Sequence, residues 1–176
     1  MLRTRNISAS DYAAVHALLN GADLATPGAY HPEGLGVVLA EDDGVVIGAV
    51  EFGVDTDFGR DEGRPGHLGP QTWVFSLAVA GAHRRRGVGQ ALLAEVARRA
   101  QEDGNTYLAL APADGDDEAD RHAFFRMCGL KQIEHDVPCA AWGGPVSEVL
   151  AATTTDEGRC ARSACRTATS CTEVSV

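Results

Sequence analysis

The chain has 176 residues, a length for one domain with a core of its own, and its 44% apolar and 23% charged residues exclude collagen, coiled coil and wholesale disorder. Lys and Arg number 15 against 25 Asp and Glu, a formal charge of −10. Such a balance repels nucleic acid and anionic membrane, so any anion the protein binds must be held by a local basic patch.

In chain order, residues 1–10 carry Arg3 and Arg5 without an apolar stretch behind them, so they do not read as a secretory leader and a cytoplasmic location is expected. Ser10 and Asp11 precede Tyr12, Val15, Leu18 and Leu19, a cap and an apolar helical period that Asn20 and Gly21 end. Valine-rich runs at 36–40 and 45–52, separated by Glu41, Asp42, Asp43 and Gly44, predict a β-hairpin. Residues 55–70 hold four glycines, two prolines and many charges, and read as a long surface loop.

Residues 73–80 read as a buried strand. After a basic turn, Leu92, Leu93, Val96, Ala97 and Ala100 recur at helical spacing. A short strand at 107–111, a helix at 118–128 that Gly129 terminates, and a strand near 131–136 follow. From 145 onward Ser, Thr, Ala and Cys dominate without a period, so the expected organisation is a domain over 1–144 and a low-complexity, disordered tail over 145–176. Residues 138–145 make a short, glycine-bearing last strand, which leaves room for the tail or a second copy, in a homodimer, to complete the sheet. Neither apolar stretch, 45–50 or 73–82, reaches the roughly 18 residues of a membrane span. The five cysteines, an odd number, read as reduced thiols, and Cys160, Cys165 and Cys171 are too far apart for a zinc site, so no metal is expected.

The chemistry concentrates at the strand–turn–helix unit, where His83, Arg84, Arg85, Arg86, Gly87, Val88, Gly89, Gln90 and Ala91 join the strand to the helix. A helix start offers unpaired N–H groups and the positive end of its dipole. Glycine lets a phosphate approach the backbone, and three arginines supply positive charge that the whole chain lacks. The turn therefore reads as a pyrophosphate site. It is neither a dinucleotide fingerprint nor a P-loop, because a third spaced glycine and a Gly-Lys-Ser/Thr are both missing.

The run Ser76, Leu77, Ala78, Val79, then Arg84, Arg85, Arg86, Gly87, Val88, Gly89, Gln90, Ala91, Leu92, Leu93 resembles the acetyl-coenzyme A signature of the GNAT N-acetyltransferase superfamily, matched at Arg84, Gly87 and Gly89. The likeness in element order extends from about Leu2 to Asp136. It implies a single α/β domain with a mixed, largely antiparallel sheet flanked by helices. It also implies acetyl-CoA as cosubstrate, Leu77 and Val79 backbone groups on the pantetheine amides, and the pyrophosphate held by the Arg84 side chain and amides from Arg85 or Arg86 through Gly87, Val88, Gly89 and Gln90 to Ala91. The acceptor would be a primary amine of a small molecule or a peptide or protein, attacking the thioester directly, so Cys128 need not be a nucleophile.

The sequence departs from the family pattern at both proton-handling positions. Phe125 falls where a tyrosine often protonates the leaving thiolate, and Trp73 where a glutamate sometimes acts as base. A thiol of pKa about 8.5 is already a fair leaving group. Water or His122, on the helical face of Phe125, is the substitute donor. Glu51, alternating with Ala49 and Gly53 on one sheet face, is the substitute base, ahead of Asp55, His67 and His83; a solvated strand carboxylate is its bland alternative. Acceptor choice falls to residues 26–35, 55–70 and those after 136. Replacement of both proton-handling residues also admits a second function, a catalytically degenerate acyl-CoA-binding or sensing module. A nucleic-acid-binding role for the arginines is disfavoured by the net charge.

Overall fold

The valine-rich alternation becomes the centre of a seven-stranded sheet, seen in a computed structural model that describes residues 1–22, 36–55, 71–112, 117–133 and 141–154. The strands are β1 (Arg3–Asn6), β2 (Gly36–Asp42), β3 (Val45–Asp55), β4 (Gln71–Val79), β5 (Tyr107–Leu110), β6 (Lys131–Ile133) and β7 (Ala141–Pro145). The helices are α1 (Tyr12–Asn20), α2 (Val88–Glu102), α3 (Glu118–Met127) and α4 (Val146–Thr154). Strand order is β1-β2-β3-β4-β5-β7-β6, antiparallel throughout except for β4 and β5. That is the mixed, largely antiparallel α/β domain expected. The hairpin turn uses Asp43 and Gly44, both at positive φ (50° and 82°), as a two-residue turn between right-twisted strands requires.

Each face of the sheet buries its own cluster. On one, Val15 and Leu19 of α1 cover Leu39, Ala49 and Ala78. On the other, Leu92, Leu93, Val96, Ala97 and Ala100 of α2 pack on Val38, Val50, Phe52, Val74 and Leu108, joined by Phe125 and Cys128 of the α3 end and Val146 and Val149 of α4. Burial of each large aliphatic side chain there contributes about 1.5 to 3 kcal/mol. Gly48 lets α2 sit close, because a Cβ there would meet Val88 Cγ1 at 3.0 Å and Leu92 Cδ1 at 3.1 Å.

Gly129 ends α3 as expected. It takes φ +81°, its N–H donates to Arg126 O at 3.1 Å, and the Leu130 N–H donates to Phe125 O at 3.0 Å, the paired bonds of a Schellman cap.

Two expectations are corrected. The chain from 145 onward does not leave the core at once: Pro145 closes β7, and Val146–Thr154 is a helix with Val146 and Val149 buried against α2. Two valines and a leucine at one helical face suffice to dock it, although alanine and threonine dilute the period. The last strand also needs no second copy or tail to complete it. β7 inserts between β5 and β6 of its own chain, pairing Leu110 with Trp142 and Gln132 with Trp142. Residues 155–176 lie outside the described residues.

Candidate active site

β4 and β5 pair in parallel only from Gln71↔Tyr107 to Val74↔Leu110. Beyond Val74, β4 continues to Val79 paired, among the described residues, with β3 alone, which opens one strand edge at the middle of the sheet. The polarity of that edge follows from parity. The Ala80 N–H donates to Ile47 O at 2.9 Å, so Ala80, and with it Ala78 and Ser76, direct their backbone groups at β3. Leu77 and Val79 therefore turn theirs to the open edge. The Val79 carbonyl accepts a bond from Arg84 Nε at 3.3 Å on that side. An extended chain carrying amides can add to such an edge as a strand does.

At the Val79 end of this edge stands the start of α2. Arg85 and Gly87 both take positive φ (59° and 84°) and fold the arginine turn back so that Gly87 caps the helix. The Ala91 N–H already donates to Gly87 O at 2.9 Å. It is spent on the helix, which removes Ala91 from the expected set of amide donors. Ahead of it, the Val88 and Gly89 N–H groups have no carbonyl one turn back to bond. A Cβ on Gly89 would lie 3.1 Å from Phe124 Cζ and 3.7 Å from Leu77 Cδ2, so this residue must be small where α2, α3 and β4 converge.

The arginines do not stand in bulk solvent alone. Arg84 Nη1 lies 3.5 Å from Asp117 Oδ2 and Arg85 Nη2 2.6 Å from Asp120 Oδ2, across the gap at the start of α3, while Arg86 Nη1 meets His83 Nδ1 at 3.4 Å. These exposed pairs are weak and can be exchanged for phosphate oxygens. Gln90 turns away: its side-chain amide donates to Ala152 O and Thr153 O at 3.4 Å, fastening α2 to the end of α4.

Glu51 and His122 lie apart, on opposite faces of the sheet. Glu51 is 5% exposed and its Oε2 accepts a 2.7 Å bond from the Ser76 hydroxyl. The expectation of a solvated strand carboxylate is thus corrected. Its alternation with Ala49 puts it on the α1 face. His122 is not fully exposed either: its ring lies 4.9 Å from that of Trp142, and Nε2 lies 3.6 Å from Glu118 Oε1. Phe125, which shares that helical face, is buried with its ring 5.5 Å from Trp142. Trp73 lies within β4 between Gly53 and Ala109. Cys128 is wholly buried.

Ser76, Asp117 and Asp120 are the residues that sequence reasoning passed over. Ser76 shows itself only through the register that sets it opposite Glu51; the acids could have been suspected from their charge alone. His67 and the acceptor segments 26–35 and 56–70 lie outside the described residues. A cavity of about 520 Å³ lies at the other end of α2, lined by Phe52, Thr72, Arg99 and Asn105 among others, and holds none of the expected site residues. Among the described residues no group of His, Cys, Asp and Glu is placed to hold a metal ion.

A model of the acetyltransferase (GNAT) family matches residues 4–130. Curated proteins give no sequence match. Solved structures share the fold. The ribosomal-protein-S18-alanine N-acetyltransferase of Escherichia coli superposes with a TM-score of 0.65 at 15% identity, over 83% of this chain and 94% of that one. The PaiA N-acetyltransferase of Thermoplasma acidophilum, solved with coenzyme A, gives 0.64 at 12%, over 82% and 99%. The aminoglycoside antibiotic 6'-N-acetyltransferase of Acinetobacter haemolyticus gives 0.59 at 21%, over 77% and 94%.

Proposed function

The chain belongs to the GNAT acetyltransferase family, and from that premise we propose that it transfers the acetyl group of acetyl-CoA to a primary amine of a small molecule, peptide or protein. The observation that carries the reading is the open β4 edge ending at the α2 start, with the backbone of Leu77 and Val79 along it and Arg84 at its end. The fit to acetyl-CoA is stereochemical. Amides of a pantetheine arm find strand partners at Leu77 and Val79. A pyrophosphate finds the Val88 and Gly89 N–H groups, the helix dipole and the side chains of Arg84, Arg85 and Arg86. Gly87 and Gly89 keep the approach clear.

Glu51, acting through a water molecule, takes a proton from the acceptor ammonium. The freed nitrogen forms the C–N bond to the thioester carbonyl carbon, backbone N–H groups hold the oxyanion, and the C–S bond breaks with its electron pair going to sulfur. The second amine proton neutralises the thiolate, with His122 or water as the relay. The proposed place of this work is the cytoplasm.

A titration of acetyl-CoA against melting temperature tests the coenzyme site without an acceptor. Ligand at about 100 times its Kd stabilises by about 2.7 kcal/mol. A saturable rise is expected in the wild type and a weakened one in Arg84→Ala; no rise at millimolar ligand would overturn the reading. Coenzyme A release from a panel of spermidine, an aminoglycoside and alanyl peptides then tests transfer. The second reading, an acyl-CoA-binding module without turnover, is favoured by Phe125, which is buried against Trp142 and carries no hydroxyl to protonate a thiolate. Binding without release across the panel is its signature.

A further inference from the structure

Glutamate has three rotatable side-chain bonds, and a base that wanders loses rate even when its chemistry is right. Here one side chain fixes it. Ser76 is buried, stands opposite Glu51 in the β3–β4 register, and donates its hydroxyl to Glu51 Oε2 at 2.7 Å. The pairing then skips a residue: Glu51↔Ser76 is followed by Phe52↔Val74, so Phe75 is an extra residue in β4, and it is exposed. This bulge coincides with the last β4–β5 pair, Val74↔Leu110, beyond which the strand edge opens. Ser76 thus stands where the sheet parts. It lies with Glu51 on the face opposite α2, the face that α1 covers at Ala49 and Ala78.

We propose that Ser76 is a positioning residue for acetyl transfer, holding the Glu51 carboxylate by one oxygen beside the open β4 edge so that the other can receive the acceptor's proton. The proposal rests on the acetyl-transfer reading above. A buried carboxylate needs a donor, and a purely structural bond would satisfy that need equally well. The two roles part in kinetics, because a positioning role acts only through Glu51.

The test measures kcat, the KM for acetyl-CoA and melting temperature for the wild type, Ser76→Ala, Ser76→Thr, Glu51→Gln and the Ser76→Ala/Glu51→Gln pair, with the spermidine, aminoglycoside and alanyl-peptide panel as acceptors. The expected result is a fall of about tenfold in kcat for Ser76→Ala with the acetyl-CoA KM unchanged. Ser76→Thr, which keeps the hydroxyl, is expected to recover most of the rate. In the Glu51→Gln background Ser76→Ala is expected to cost nothing further. Ser76→Cys, close in volume, replaces Ser76→Ala if the alanine variant fails to fold. An unchanged kcat in Ser76→Ala, or an equal loss with and without Glu51, would overturn the positioning role and leave Glu51 as base. Full activity in Glu51→Gln would overturn both while acetyl transfer stands. No release with any amine would overturn the transfer reading itself.

Discussion

Arg5 of β1 ties the start of α1 to the end of β2. Its guanidinium forks onto both Asp11 oxygens at 2.7 and 2.9 Å, and its Nε meets Glu41 Oε2 at 2.7 Å. The Ser8 N–H and hydroxyl also donate to Asp11 Oδ2, at 2.8 and 2.6 Å. Arg5, then Ser8, hold the Asp11 carboxyl well below the usual carboxylate range. The sign follows from linkage. A depressed carboxyl stabilises the fold above the unfolded value of about 3.9, and that contribution is lost as pH falls from there toward the folded value. Asp11→Asn is therefore expected to lower the melting temperature at pH 7 by about 2 to 4 °C. It is also expected to flatten the wild-type decline below about pH 4; equal slopes in thermal melts from pH 7 to pH 2 would refute the linkage. In the sequence Asp11 reads simply as a helix cap, because nothing local shows that Arg5 is on a neighbouring strand.

Among the elements, those with a strong period were legible and those made by close approach were not. The β2–β3 hairpin, β4, α2 and the glycine end of α3 could all be read from valine alternation, leucine spacing or a terminal Gly. β1 escapes because Arg3, Thr4, Arg5 and Asn6 carry no apolar alternation; they are held by pairing with Val38 to Glu41. In β7, expected as a short, glycine-bearing last strand, the glycines answer a packing demand that the sequence does not show: a Cβ on Gly143 would lie 2.6 Å from Tyr107 Cε1, and one on Gly144 2.9 Å from Gly129 O. The strand–turn–helix unit proposed to hold the coenzyme was legible because its motif is local. The Glu51–Ser76 pair was not, since register joins residues 25 apart. Gly89 belongs to both worlds, a motif glycine that also meets α3. Gly89→Val drives two methyls toward Phe124 Cζ, where even a Cβ lies 3.1 Å away, and overpacking of this kind costs about 1 to 3 kcal/mol. The denaturant midpoint should fall accordingly and the acetyl-CoA melting shift should shrink. A variant as stable as the wild type would mean that α3 yields freely there.

For the whole molecule the question is where the folded unit ends. The family match stops at residue 130, yet β7 and α4 continue the same core: Trp142, Val146 and Val149 are 1%, 3% and 0% exposed and belong to the cluster centred on α2. α4 is tied at both ends, by Lys131 Nζ to Glu148 Oε2 at 3.1 Å and by Gln90 to the carbonyls of Ala152 and Thr153. Gly129 lacks the Cβ that would stand 3.0 Å from Glu148 O, so the end of α3 is shaped to receive α4. Removing α4 would return the buried surface of Val146, Val149 and part of Leu150 to water and uncover α2 beneath. At about 1.5 to 3 kcal/mol per large aliphatic side chain, that loss is comparable with the 5 to 15 kcal/mol by which domains are stable. We therefore place α4 inside the domain, so that its boundary falls no earlier than Thr154 rather than after residue 144. A chain of residues 1–154 should melt within about 2 °C of the full chain and keep its acetyl-CoA shift, whereas residues 1–145 should lose the cooperative transition. If 1–154 also failed to fold, residues 155–176 would belong to the core. If 1–145 melted like the full chain, the packing of α4 on α2 would be dispensable, and the tie from Gln90 beside the arginine turn to the end of α4 would carry no energy.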